Sequence, residues 1–146
     1  DGPMRFSLER LAANLGILDK TRFVGNLSRS EVLGLIAESS ALLHPSLHDS
    51  GSFVCLEAMA AGVPVICLAV GGPAVIVTHN TGYPIRADSR EQVVADMSTC
   101  LRNLAGEDAA VESRSDAARE RVRTSFLWET KADSIIGIYQ EVASRE

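Results

Sequence analysis

The stretch that decides the fold is HPSLHDSGSFVCLEAMAAGVPVI, His44–Ile66. It begins at the end of a short apolar run, crosses a loop, and continues as an apolar segment that we predict to be a helix, Phe53–Ala61. Gly62 ends this helix, and Pro64 leads into a predicted buried strand, Val65–Leu68. A strand, a helix and a second strand in this order indicate a parallel βαβ unit.

The same alternation continues on both sides and predicts an α/β fold, a Rossmann-like doubly wound parallel sheet with helices at its C-terminal end. We count about four strands, where such sheets usually have about five or six. We therefore expect the domain to be N-terminally incomplete. The other predicted elements before the C-terminal helices are helix Met4–Leu15, strand Arg22–Val24, a helix from Ser28 or Ser30 to about Glu38, strand Ala41–His44, a helical turn near Pro73–Val77 and strand Tyr83–Ile85.

Helical periodicity dominates from Ser89 onward. The middle helix of this region, Glu107–Thr124, is rich in Ala, Arg and Glu, so we expect it to be exposed. Arg119, Arg121 and Arg123 near its end should form a solvated face. The first and last helices carry apolar stripes, Val93, Val94, Met97, Cys100, Leu101 and Leu104 in one and Ile135, Ile136, Ile138, Tyr139 and Val142 in the other.

Composition restricts the class of protein. The 146 residues fit one domain, 1–146, and the net charge of -5 argues against a nucleic-acid surface. No apolar run is long enough to span a membrane and no signal-peptide pattern opens the chain, so we predict a cytoplasmic location. The three cysteines, which we expect to be reduced, and the other potential ligands show no spacing typical of a metal site.

The loop HPSLHDSGS follows a predicted strand, where ligands bind in open parallel sheets. Gly51 and Ser52 let the backbone pass close to a ligand, and the first amides of the Phe53 helix point outward unpaired. Helix N-termini of this kind bind anions. Because the chain has no Lys or Arg between Arg29 and Arg86, we predict that backbone amides hold an anion such as a diphosphate.

Two acids stand eight positions apart on either side of this helix start, Asp49 in the loop and Glu57 about one turn into the helix. Asp49 can instead be a loop residue that caps the helix. Glu57 can be an exposed glutamate near the positive end of the helix dipole, or it can accept from a ligand hydroxyl. The residues alone leave these alternatives open.

Two further pairs near the loop are also open to two interpretations. His44 ends the strand and His48 precedes Asp49, so either can serve the site or be packed or solvated. Gly71 and Gly72 follow the next strand, where they can form the second wall of a pocket or a tight turn without a ligand.

The sequence resembles the retaining GT-B glycosyltransferases of the large group 1 family. PSLHDSGSFVCLEAMAAGVPVI is similar to the family motif of Pro-Ser, an acid, seven residues, Glu-Ala-Met-Ala, a glycine and Pro-Val-Ile. DGPMRFSLERLAANLGILDKTRFVGNLSRSEV, VGGPAVIVTHNTGYPI and FLWETKADSIIGIYQEV resemble the flanking segments in the same order. The resemblance implies the nucleotide-sugar-binding C-terminal half of a two-domain enzyme.

It also implies residue roles. Glu57 corresponds to the acid that holds the ribose hydroxyls, and Asp49 to the acid near the anomeric carbon of the donor sugar. Both are therefore candidate catalytic residues. The implied substrate-binding residues are Gly51, Ser52, Phe53 and Val54 for diphosphate and sugar, Gly25, Asn26 and Leu27 beside the base, and His48, Ser50, Gly71 and Gly72 on the two loops.

The sequence departs from the family pattern at three of these places. The first acid is commonly glutamate, whereas Asp49 is one methylene shorter. Ser52 stands where the family commonly has glycine, and Val75 stands where the Gly-Gly loop often carries a glutamate. The Gly-Arg turn and the lysine that neutralise the phosphates in family members precede the region that this chain matches.

The implied activity is transfer of a hexose from a nucleoside diphosphate sugar to an acceptor hydroxyl, with polysaccharide biosynthesis as the expected setting. The implied partners are a missing N-terminal GT-B domain and an acceptor glycan or lipid, with peripheral association at the inner face of the membrane through that domain. No metal or other cofactor is expected. The alternatives are a non-catalytic nucleotide-sugar-binding module, a UDP-sugar epimerase of related architecture and, less well supported because no G-x-G-x-x-G follows a strand, a nicotinamide dehydrogenase.

Overall fold

A computed structural model describes residues 1–106 and 108–145, apart from the side chains of residues 108–110. Its backbone contacts divide the chain into two compact units, Asp1–Gly34 and Leu35–Glu146. The first unit contains helix α1 (Arg5–Asn14), a 3₁₀ turn (Leu18–Lys20) and most of helix α2 (Arg29–Ala37), which continues into the second.

Ser28, and not Ser30, caps helix α2, through reciprocal hydrogen bonds with Glu31. The backbone amide of Ser28 donates to Glu31 Oε2 at 2.8 Å, and the Ser28 hydroxyl donates to the same oxygen at 2.6 Å. The Glu31 amide lies 3.4 Å from Ser28 Oγ. This is a capping box, in which a serine and a glutamate three residues later satisfy the first amides of a helix.

The predicted strand Arg22–Val24 is wrong. These residues are not paired with any strand in the described parts of the chain, and the sheet has three strands instead of about four. The carbonyl oxygen of Phe23 accepts from Arg5 Nη2 at 3.2 Å, and the Arg5 guanidinium lies 5.9 Å from the centre of the Phe23 ring. A short run such as Arg-Phe-Val before a glycine is compatible with an extended backbone, but a strand forms only where a neighbouring strand pairs with it.

The second unit is built on a parallel sheet of order β1-β2-β3. Strand β1 is Leu42–His44, β2 is Val65–Leu68 and β3 is Gly82–Ile85. Helix α3 (Phe53–Ala61) connects the first pair and helix α4 (Gly71–Ile76) the second. The predicted α/β class with a parallel sheet is confirmed, and α4 starts two residues before the predicted Pro73.

The core surrounds β2, which is buried along its whole length. Ile66 and Leu68 of this strand pack with Ile85 and with Met97 of helix α5 (Arg90–Leu104). Cys55, Ala58 and Met59 of α3 are also completely buried. Strand β2 reads as an uninterrupted apolar run because helices cover both faces of a parallel sheet.

All three cysteines carry free thiols, as expected. Cys55 and Cys67 are completely buried, and this burial raises the pKa of the Cys55 thiol to about 11 and that of Cys67 to about 12. Loss of hydration disfavours the thiolate and causes both shifts.

Helix α6 (Asp108–Ser125) is less exposed than predicted. Ala118 is completely buried, and α6 packs on α3. The predicted first residue of this helix, Glu107, lies outside the described residues. Small residues at the contact allow two helices to approach closely, which is why an Ala-rich helix can be a packing element instead of a solvated one.

The predicted solvated face of arginines on α6 is confirmed for Arg119 and Arg123, which are exposed, whereas Arg121 is half-buried. Arg119 Nη2 donates to the carbonyl of Ala61 at 3.3 Å. Arg121 donates from Nε to the carbonyl of Ile76 and from Nη2 to that of Val75, both at 2.8 Å. Arg119 also pairs with Asp116 through Nη1 at 2.9 Å, and Arg123 pairs with Glu120 on the surface. The first two guanidinium groups supply donors to the last carbonyls of α3 and α4, which helix geometry leaves unpaired.

The apolar stripe of helix α7 (Trp128–Ala143) is exposed within the described structure. The exposed fraction is 52% for Ile135 and Ile136, 60% for Ile138 and 71% for Tyr139. No helix in the described parts of the chain combines the length and the hydrophobicity needed to cross a bilayer.

Candidate functional site

The candidate site is built where β1 ends and α3 begins, at the carboxyl edge of the sheet. His44 is the last residue of β1, and Phe53 is the first of α3. The residues between them form a loop, Pro45–Ser52, that we call the donor loop. Its place matches the position where open parallel sheets bind ligands.

Asp49 organises the donor loop through both of its carboxylate oxygens. Oδ1 accepts from the amide of Ser52 at 2.8 Å and from that of Gly51 at 3.1 Å. Oδ2 lies 2.9 Å from His44 Nε2. An ionised carboxylate can only accept, so His44 Nε2 carries the proton in this contact. The loop role that the sequence left open for Asp49 is therefore the one that the structure shows.

These contacts favour the ionised form of Asp49. The Ser52 amide, with smaller effects from the Ser52 hydroxyl, Gly51 and His44, holds the pKa of the carboxyl group below its ordinary value of 3.8, against an opposing effect of desolvation. Donors that point at a carboxylate stabilise its negative charge. The loop thus keeps a fixed negative charge at the start of α3.

Ser52 adopts the left-handed backbone conformation, with φ 45° and ψ 41°. It is the only non-glycine residue with positive φ in the described parts of the chain. Ser52 is buried, with 3% of the residue exposed. Its hydroxyl lowers the pKa values of Asp49 and Cys55. It does not reach hydrogen-bond geometry to either residue. A glycine would adopt this conformation without strain, which explains why the family commonly has one here.

Helix α3 presents free amides beside this carboxylate. Within the described residues, no backbone carbonyl accepts from the amides of Phe53 or Val54. The first intrahelical acceptor is the carbonyl of Ser52, which receives the amide of Cys55 at 2.9 Å. Two amides and the positive end of the helix dipole therefore remain available to an anion.

The Gly-Gly loop packs directly on the donor loop. The Gly72 amide donates to the carbonyl of Asp49 at 2.8 Å. A Cβ on Gly71 would lie 2.6 Å from that same carbonyl oxygen, and a Cβ on Gly72 would lie 2.7 Å from the carbonyl oxygen of Ser50. The absence of side chains allows the two loops to touch backbone to backbone, and they form adjacent walls of one site.

The other predicted residues are not all brought to this place. Glu57 is half-buried on α3, and His48 is exposed on the donor loop. Gly25, Asn26 and Leu27 belong to the first compact unit, and their role beside a base stays a prediction. In the described parts of the chain, no group of three His, Cys, Asp or Glu side chains is arranged to hold a metal ion.

A cavity of about 440 Å³ adjoins the donor loop, and sequence reasoning missed most of its lining. The lining includes Ser50, Gly51 and Phe53 and, from far along the chain, Phe126 just before α7 and Trp128 and Lys131 in its first turn. The signal that could have found it is the pair of aromatic residues, Phe126 and Trp128, just before and at the start of α7.

Comparison with known proteins shows the family of this chain. The family model described as glycosyl transferases group 1 matches residues 1–121. Glycogen synthase of Mycobacterium tuberculosis is 33% identical over 124 residues, which are 84% of this chain and 29% of that enzyme. The chain thus spans about three tenths of the length of this curated relative.

Solved structures share the fold. WaaG, a glycosyltransferase involved in lipopolysaccharide biosynthesis, is 29% identical with a TM-score of 0.72, over 88% of this chain and 34% of that chain. Alr3699/HepE of Anabaena, solved in complex with UDP, is 20% identical with a TM-score of 0.69, over 96% of this chain and 35% of that one. The second likeness concerns the fold alone.

Proposed function

The chain belongs to the glycosyl transferases group 1 family, and on that premise we propose that it is the donor-binding part of a retaining glycosyltransferase. The proposed donor is a nucleoside diphosphate hexose, and the acceptor group is a hydroxyl. HepE, whose fold this chain shares in part, was solved in complex with UDP, which supports a nucleotide as part of the donor.

The observation that carries the proposal is the free N-terminus of α3 beside Asp49. Within the described residues, the amides of Phe53 and Val54 have no backbone acceptor, and they lie at the carboxyl edge of the sheet. They can bind a diphosphate without help from a cationic side chain, and the donor loop has no Lys or Arg. The Gly-Gly loop closes the other side of this anion site.

In the proposed reaction, the acceptor oxygen forms a bond to the anomeric carbon while the bond between that carbon and the diphosphate oxygen breaks. The acceptor proton passes to the leaving diphosphate. Negative charge that develops on the diphosphate is stabilised by the α3 amides, and positive charge on the sugar by Asp49. Attack from the face that the diphosphate leaves retains the configuration.

Asp49 can take part without leaving its loop contacts. Each carboxylate oxygen offers two lone pairs, and the contacts with Ser52, Gly51 and His44 leave capacity on Oδ2 for a donor hydroxyl. We assign Glu57 to the ribose hydroxyls, since it lies one turn further along α3. His48, Ser50, Gly51 and Ser52 supply further donor contacts.

Transfer needs a second domain in this proposal. The chain spans 29% of glycogen synthase, and helix α7 leaves a row of apolar side chains exposed. We infer that an N-terminal domain covers part of this surface and supplies most of the acceptor site. Any association with the membrane at the cytoplasmic side belongs to that domain.

The test uses the longer protein that contains this chain. We expect Glu57→Gln to weaken binding of a UDP-, GDP- or ADP-sugar panel in calorimetry, and Asp49→Asn to lower the transfer rate with a smaller effect on binding. Glu38→Gln, a change on the exposed surface, is the matched control. If both variants transfer sugar at the wild-type rate, the assignment is wrong, and product analysis by NMR decides whether the configuration is retained.

A further inference from the structure

The cavity beside the donor loop has an apolar and aromatic lining. Its volume of about 440 Å³ lies within the range of roughly 300–1,000 Å³ that small-molecule sites occupy. All of it belongs to the second compact unit. The apolar lining residues are Phe53, Leu56, Val75, Ile76, Phe126 and Trp128.

Several of these side chains are exposed for their type. The exposed fraction is 70% for Phe53, 66% for Val75 and 82% for Trp128. A cluster of exposed large apolar side chains around a concave surface indicates a binding site, because each of them gains free energy when a ligand removes it from water. Val75 adds apolar surface to this lining at a position where the family often has a charged glutamate.

The cavity walls are held in place before any ligand arrives. Arg121 donates to the carbonyls of Val75 and Ile76 at the end of α4, and its guanidinium carbon lies 5.4 Å from the centre of the Phe126 ring. One side chain of α6 therefore contacts both the end of α4 and the segment between α6 and α7. The start of α4, at Gly72, is fixed to the donor loop by the hydrogen bond to the Asp49 carbonyl.

One cation stands at this apolar surface. Lys131 is the only charged residue in the lining within the described structure, and its Nζ lies 5.2 Å from the centre of the Phe126 ring. Lys20 is the only other lysine of the chain. A single ammonium group beside aromatic rings complements a ligand that joins an apolar group to a negative charge.

We propose that this cavity binds the acceptor through an apolar group that carries an anionic group, such as a phosphate monoester of an alkyl chain. The inference rests on the proposed function, because Ser50 and Gly51 belong both to the cavity lining and to the loop that binds the donor. A ligand in the cavity therefore lies next to the donor sugar. The acceptor's apolar group contacts Val75 and the aromatic rings, and its negative charge lies at Lys131.

Trp128 provides a direct readout, since it is the only tryptophan of the chain. We would titrate the chain with octyl phosphate below its micelle concentration, with octyl glucoside as an uncharged amphiphile and with inorganic phosphate. The expected result is a saturable change of Trp128 emission with octyl phosphate, about tenfold weaker binding of octyl glucoside, the equivalent of ~1.4 kcal/mol, and no change with inorganic phosphate.

Two variants test the lining. Val75→Glu places a carboxylate at the apolar wall, and Lys131→Gln removes the cation. Each substitution should weaken the binding of octyl phosphate by about tenfold or more, the equivalent of ~1.4 kcal/mol. Val75 and Lys131 are exposed, so both proteins should fold. Val94→Glu, an exposed valine outside the lining, is the matched control and should bind like the wild type.

UDP binding, measured by calorimetry on the same samples, separates this inference from the proposed function. If UDP binds and octyl phosphate does not, or if Val75→Glu binds octyl phosphate like the wild type, the cavity assignment is wrong and the donor assignment stands. If neither ligand binds, both are wrong. If octyl phosphate changes Trp128 emission in this chain but not in the longer protein, the protein's own chain covers the cavity and the inference is overturned.

Discussion

Asp49 joins three parts of the molecule through one side chain and its own carbonyl. Its carboxylate contacts the end of β1 at His44 and the start of α3 at Ser52, and its carbonyl accepts from Gly72 at the start of α4. A shorter acid suits this arrangement, because an aspartate can reach the amides two and three residues later in its own loop. The departure from the usual glutamate therefore has a structural explanation.

The lowered pKa of Asp49 makes its contribution to stability depend on pH. A carboxyl group whose pKa is lower in the folded than in the unfolded chain stabilises the fold above its unfolded pKa, near 3.8. This contribution is lost as the pH falls through the folded value. We expect Asp49→Asn to have a lower Tm than the wild type at neutral pH, and the difference to shrink below pH 3.8.

Thermal unfolding at a series of pH values measures this difference. Asp133→Asn, on α7 outside the loop, controls for the loss of one negative charge. A Tm difference for Asp49→Asn that stays constant down to strongly acidic pH would show that the ionised carboxylate does not stabilise the loop.

The contact between the two loops makes a side chain at Gly71 unfavourable. Gly71 has φ 56°, and an added Cβ would lie 2.6 Å from the Asp49 carbonyl oxygen. We expect Gly71→Ala to lower the free energy of unfolding by about 1–3 kcal/mol. Gly137→Ala is the matched control, because open space surrounds that position on α7 and alanine favours the helix by about 1 kcal/mol. Equal effects of the two substitutions in denaturant unfolding would contradict the contact.

At the scale of elements, local patterns predict some parts of the fold with their observed bounds. Helix α3 and strand β2 match because a positive-φ glycine ends the helix at Gly62 and an unbroken apolar run marks the buried strand. The predicted strand Arg22–Val24 is wrong because strand formation depends on a neighbouring strand that no local pattern reveals. The prediction that α6 is exposed fails for a similar reason, because its contact with α3 is not visible in the local sequence.

The candidate site shows the same division. The donor loop and the Gly-Gly loop are recognisable because their glycines and acids are clustered in the sequence. The link between Asp49 and His44 is suggested by position only, and the cavity is not suggested at all, since Phe53 and Lys131 are distant in the chain and meet only in the folded structure.

The packing of α6 on α3 predicts that Ala118 tolerates no larger side chain. Ala118 is completely buried, so Ala118→Leu should lower the free energy of unfolding by about 1–3 kcal/mol through overpacking. Ala132→Leu places the same side chain on an exposed position of α7 and should leave stability nearly unchanged. Denaturant unfolding of the two variants makes the comparison. If Ala118→Leu is as stable as Ala132→Leu, α6 does not pack closely on α3.

At the scale of the whole molecule, the chain carries the proposed donor site but only about three tenths of the length of its relative glycogen synthase. The exposed row on α7 offers an apolar surface for further chain to cover. Closure of two domains over a substrate commonly completes a catalytic site and excludes water. Donor binding and sugar transfer are therefore separable properties in our proposal.

We expect the 146-residue chain to bind a nucleoside diphosphate sugar without transferring the sugar. The longer protein should do both. Calorimetry measures binding, and mass spectrometry of an acceptor panel measures transfer. Transfer by the chain alone at a rate comparable with that of the longer protein would show that the second domain is not needed for chemistry.

The two buried thiols can report how often the elements of the proposed donor site open. Cys55 lies in α3 and Cys67 in β2, and both are fully enclosed with raised pKa values, so an alkylating reagent can reach them only when these elements open. Cys100, which is half-buried, should react sooner and serve as the internal reference. The delay between the labelling of Cys100 and that of Cys55 measures how rarely α3 opens. A diphosphate bound at the start of α3 should lengthen this delay.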